Sequence, residues 1–75
     1  RKNADYGDSF AKARKAVPNY TLGKLYDKFS RYMNLTIKGE TSAQVDESLD
    51  DTLMDLANYA IMELTERRLE KEGNQ

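Results

Sequence analysis

The stretch Asp46-Glu47-Ser48-Leu49-Asp50-Asp51-Thr52-Leu53-Met54-Asp55-Leu56-Ala57-Asn58-Tyr59-Ala60-Ile61-Met62 decides the fold. It contains no Gly or Pro, the unbroken pattern runs on to about Lys71, and Gly73 is a natural stop. This predicts a helix of about 25 residues, roughly 37 Å long at 1.5 Å per residue. Asp46 or Ser48 is placed to cap it, and the acids that follow suit the positive end of the helix dipole.

At about 100° per residue, Glu47, Asp51, Asp55, Asn58 and Met62 fall on one face, with Leu49, Leu53, Leu56, Ala57, Ala60 and Leu64 roughly opposite. Between Leu53 and Met62 the helix is apolar almost all the way round, so it is expected to be covered on more than one side. A buried carboxylate or amide without a partner is costly, and Asp55 and Asn58 then need a metal, a cationic side chain or a ligand. A plainer reading keeps Glu47 and Asp51 as solvated first-turn acids and pairs Asp55 with a lysine or arginine.

Upstream, Thr21 is a good N-cap for a second helix over roughly Leu22 to Thr36. Leu22, Leu25, Tyr26, Phe29, Tyr32, Met33 and Thr36 share its broad apolar face, expected to be core, while Lys24, Asp27, Lys28 and Arg31 share the other. That polar row is either a solvated face of pairs worth a few tenths of a kcal/mol or a clamp for phosphates, with Arg31 able to fork two oxygens. Pro18 ends a first helix, which Gly7 delimits on the other side; Asp8 or Ser9 caps it and it runs through Val17. Residues 1 to 6 finish a preceding helix or form a turn. Ser9 and Phe10 could offer a hydroxyl and a ring to a nucleotide, or Phe10 could be core. Lys38 to Gln44 reads as a polar surface linker, and Glu63 to Gln75 as a solvated, fraying end.

Seventy-five residues make one small domain, spanning 1–75, at the edge of what a single core stabilises. The chain has no Cys and no His, which excludes disulfides, zinc sites of the usual kind and Cys or His nucleophiles. No apolar run is long enough to span a bilayer and no signal peptide is visible, so a soluble cytoplasmic protein without membrane attachment is expected. Residues 1 to 31 hold eight Lys or Arg against three acids, and residues 32 to 75 hold four against ten. The net charge of −1 disfavours nucleic acid as the main partner. A basic half facing an acidic half suits a metal-bound phosphate, or simply two complementary helices.

Three blocks in order carry a family resemblance: Asp5-Tyr6-Gly7-Asp8-Ser9-Phe10, then Lys24-Leu25-Tyr26-Asp27-Lys28-Phe29-Ser30-Arg31, then Asp46-Glu47-Ser48 with Asp51-Thr52-Leu53-Met54-Asp55-Leu56-Ala57-Asn58-Tyr59. They resemble the nucleotide modification-associated domain family of phages and bacteria, itself similar to the all-α NTP pyrophosphatases of MazG type. The resemblance implies a nucleotide ligand and Mg²⁺ held on acidic helix pairs. On it, Glu47, Asp51 and Asp55 are the metal candidates; Lys24, Asp27, Lys28, Arg31, Asn58, Ser9 and Phe10 are the nucleotide candidates. The chain departs from the enzyme pattern of two facing carboxylate pairs. The second helix offers only Asp27, and Asp51 and Asp55 are four residues apart instead of three. Two functions are therefore expected in competition: a pyrophosphatase-like protein, and a non-catalytic nucleotide binder, a sensor or a sponge that a phage could turn against host nucleotide signalling. Because the first block begins at once, an upstream helix is expected to be missing. The expected architecture is all-α, a small antiparallel helical bundle completed by homo-oligomerisation.

Overall fold

The computed structural model describes residues 2–38 and 43–73, with the side chains of 8–38 and 45–73. The described residues form three helices, α1 (Lys2–Ala16), α2 (Tyr20–Ile37) and α3 (Ala43–Gly73), without a strand among them. The all-helical class is as the sequence indicates. None of these helices is long and apolar enough to cross a membrane.

Several helix ends differ from the sequence reading, each for a local reason. Helix α1 runs straight through Gly7 and Asp8 instead of starting there; an interior glycine costs only about 1 kcal/mol relative to alanine. It ends at Ala16 because Pro18 follows, and Val17 N–H still donates to the Ala13 carbonyl at 2.9 Å. The turn is closed by Asn19 in the left-handed region at φ 58°, a conformation asparagine tolerates better than most residues. Asn19, not Thr21, is the N-cap of α2, and it caps with its backbone: its carbonyl accepts from Gly23 N–H at 3.1 Å. Thr21 is buried in the first turn, where its hydroxyl donates to Glu63 Oε1 at 2.6 Å. Helix α3 begins at Ala43 and has 31 residues. Neither Asp46 nor Ser48 caps it, and Ala43 and Gln44 belong to it and not to the linker. Residues 39–42 of that linker, and Asn74 and Gln75, lie outside the described residues.

Helices α2 and α3 form the main interface and α1 packs more lightly on both. Two cross-links fix α2 antiparallel to α3: Thr21 to Glu63, and Lys28 Nζ to Asp55 Oδ2 at 2.8 Å. The row of α2 turned toward α3 is Thr21, Leu25, Lys28, Tyr32 and Leu35; α3 answers with Thr52, Leu56, Tyr59 and Glu63. Both rows repeat at steps of three and four, the spacing of a narrow left-handed seam. The one buried apolar side chain among the described residues is Phe10, 3% exposed. Its ring meets Tyr20 edge-on at 5.9 Å and Tyr59 at 6.1 Å, and this aromatic triad joins the three helices.

The apolar face expected to be the core of α2 is instead exposed: Leu22, Tyr26, Phe29 and Met33, with Ile37, are 42–75% accessible. One partner helix covers a stripe, and α2 is apolar over a sector wider than a stripe. Helix α3 is in the same position, covered by α2 on one side with Leu53, Met54, Ile61 and Leu64 left open on another. The radius of gyration is 14.9 Å, against about 11 Å for a compact chain of this length.

Candidate functional site

Helical geometry sorts the remaining side chains. Antiparallel helices rotate in opposite senses when viewed from one end. Residues one step after the contact row therefore emerge on one side of the α2–α3 hairpin, and residues one step before it on the other. The positions one step after are Leu22, Tyr26, Phe29 and Met33 on α2 and Leu53, Ala57, Ala60 and Leu64 on α3. The positions one step before are Tyr20, Lys24, Asp27, Arg31 and Asn34 on α2 and Asp51, Asp55, Asn58 and Met62 on α3. The hairpin thus has an apolar side and a polar side, and Phe10 lies toward the polar one, against Tyr20.

Most of the residues singled out in the sequence meet on that polar side. Lys24, Asp27 and Arg31 of α2 share it with Glu47, Asp51, Asp55 and Asn58 of α3. Lys28, in the contact row, reaches across to Asp55. That ion pair is partly solvated, with the two side chains 29% and 40% exposed, so Asp55 is neither deeply buried nor without a partner. Glu47, Asp51 and Asn58 are exposed. Among the described residues no three acids, histidines or cysteines come together as a group that could hold a metal ion. Glu47, Asp51 and Asp55 share a face without converging into such a group.

Lys24 lies half-buried with its ammonium 5.5 Å from the centre of the Tyr20 ring. Further along α2, Asp27, Ser30, Arg31, Asn34, Leu35 and Lys38 line an open cleft of about 390 Å³. Arg31 is exposed there, and among the described residues no carboxylate lies within ion-pair distance of it. Asp27 is shared with a second cleft of about 360 Å³, which reaches to Tyr20 and Lys24. Ser9 is exposed on α1, whereas the Phe10 ring is enclosed by tyrosines and offers no open face to a base.

A second polar cluster, on Arg14, escapes the sequence reading. The Arg14 guanidinium grips Glu63 from Nε at 2.9 Å and Nη2 at 3.0 Å, and Glu70 from Nη1 at 2.6 Å and Nη2 at 3.2 Å. Hydrogen bonds from Arg14, then from Thr21, hold the Glu63 carboxyl below its usual pKa, and Arg14 does the same to Glu70. Both carboxylates in turn hold the Arg14 guanidinium more firmly protonated. The cluster borders a cleft of about 430 Å³ at the α1–α2 turn. Four of the five guanidinium N–H groups go to the two acids, so the cluster clamps α1 to α3. The end of α3, expected to be solvated and fraying, is pinned here. The signal available in sequence was the Glu63-to-Glu70 spacing of two turns, which places two acids on one face.

The sequence pattern of a family described as nucleotide modification associated domain 1 matches residues 2–66. No curated protein and no solved structure matches the chain.

Proposed function

Since the chain belongs to the nucleotide modification associated domain 1 family, we propose that it binds a nucleotide on the polar side of the α2–α3 hairpin. The observation that carries this reading is Arg31, exposed beside Ser30, Asn34 and Lys38 in a cleft whose volume falls in the range of ordinary small-ligand sites. A planar guanidinium forks two phosphate oxygens, and Lys38 adds a point charge next to it. Ser30 and Asn34 supply a hydroxyl and an amide, and Asp27 accepts from a sugar hydroxyl. From Lys24 to Lys38 the helix spans about 21 Å, long enough to lay a nucleotide along it.

Binding without catalysis is the reading favoured. Asp55, the metal candidate closest to the seam, already has Lys28 as its partner, and no step through a metal follows from the described residues. Pyrophosphohydrolysis of MazG type stands as the second reading, favoured by the placement of Glu47, Asp51 and Asp55 on the same face as the basic row. A divalent ion would then arrive with the triphosphate.

The test is calorimetric titration with a panel of common and modified nucleoside mono-, di- and triphosphates, with Mg²⁺ and with EDTA. The binder takes up at least one of them in EDTA, and Arg31→Ala weakens that binding at least tenfold, about 1.4 kcal/mol. Heat and pyrophosphate release only with Mg²⁺ would establish the second reading, and no heat from any nucleotide would remove both.

A further inference from the structure

The apolar side of the hairpin is the largest feature that nucleotide binding leaves unexplained. The bulky row Leu22, Tyr26, Phe29, Met33 and Ile37 on α2 lies beside a row on α3 that carries Leu53, Leu64 and, between them, the exposed small residues Ala57 and Ala60. Among the described residues nothing covers either row, because α1 packs by Phe10 toward the other side. The chain exposes 6127 Å², whereas a compact protein of its mass exposes about 4,700 Å². The excess, about 1,400 Å² summed over the whole chain, leaves room for the roughly 800 Å² that each partner contributes to a standard stable interface.

We infer that this face is the interface between two copies of the chain, which close into a four-helix bundle with both polar sides outward. The face is self-complementary, as a two-fold interface must be, with large residues on one helix and a notch of alanines on the next. A two-fold axis parallel to the helices sets α2 of each copy antiparallel over α3 of the other and preserves the register of the hairpin. Tyr26 then meets the partner's Ala57, Leu22 meets the partner's Ala60 and Leu64, and Phe29 meets the partner's Leu53. Steps of three and four along both rows are those of left-handed bundle packing. The dimer does not depend on the nucleotide reading, because its face is opposite Arg31.

Sedimentation equilibrium of the chain is expected to give twice the 8.6 kDa chain mass at micromolar concentration. Ala57→Arg puts a charge into the notch and is expected to weaken association at least a hundredfold. Because that variant could also unfold, cross-linking supplies an independent reading. The chain has no cysteine, so chains carrying Tyr26→Cys are mixed with chains carrying Ala57→Cys and oxidised. Mixed disulfide dimers are expected, with none when Lys12→Cys on α1 replaces either partner. A folded monomer up to millimolar concentration would overturn the proposal, and would assign the face to another segment or another protein. A dimer that cross-links no better through positions 26 and 57 than through position 12 would overturn it as well.

Discussion

Replacing Arg14 by Met keeps the length of the side chain and removes the guanidinium that ties α1 to α3. The structure gives Arg14 two good hydrogen bonds to Glu63, at 2.9 and 3.0 Å, with the side chains 18% and 25% exposed. Charge-assisted bonds of this kind contribute about 1.5–3 kcal/mol, and partial solvation argues for the lower part of that range, about 2 kcal/mol. For a domain of this size the midpoint should fall by about 8–16 °C. The same cluster sets an acid limit. The Glu63 carboxyl is lowered from its unfolded value near 4.5, so its contribution is complete above pH 4.5 and is lost as pH falls through the lower, folded value. Arg14 stays charged throughout. Thermal melts followed by circular dichroism from pH 7 to pH 3, at one fixed protein concentration, read both effects. Arg14→Met should melt lower at pH 7 and lose less on acidification than wild type. A variant that melts within about 2 °C of wild type, with an unchanged acid profile, would refute the clamp.

Asp55→Asn breaks the Lys28 ion pair at nearly constant shape, and because the pair is partly solvated, chemical denaturation should show a loss below about 1 kcal/mol. A loss of several kcal/mol would mean that Asp55 is far more deeply enclosed than its exposure indicates. Gly23→Ala sits in the interior of α2 with nothing near the added methyl; it should raise stability by about 0.5–1 kcal/mol, and a destabilised variant would show that another surface approaches α2 there.

Helix content was legible because periodicity is local. The absence of Gly and Pro from Asp46 to Lys71 fixes the body of α3, and Pro18 fixes the break between α1 and α2. Ends were less legible because capping competes with tertiary bonding. Thr21 has the chemistry of an N-cap, yet its hydroxyl serves Glu63 while Asn19 turns the chain. The side facing a neighbour was the least legible. Amphipathicity places Leu22, Tyr26, Phe29 and Met33 on one face without saying what covers it, and α3 takes the adjacent stripe around Leu25, Lys28 and Tyr32. Lys28 could enter that seam because Asp55 lies opposite, a pairing across 27 residues that no local pattern reports. Lys24, Asp27 and Arg31 on α2 and Asp51, Asp55 and Asn58 on α3 stand on one polar row of each helix in the sequence, and antiparallel packing in this register puts the two rows on one side. Phe10 did not follow, because its ring is needed where the three helices meet.

The most direct test of the nucleotide reading is the map of amide shifts in a ¹⁵N-labelled sample titrated with the tightest-binding nucleotide of the panel. Binding on the polar side should move Lys24, Asp27, Ser30, Arg31, Asn34 and Lys38 and leave Arg14, Glu63 and Glu70 in place. Shifts centred on the cleft at the α1–α2 turn, or spread along Leu22, Phe29 and Met33, would contradict the account.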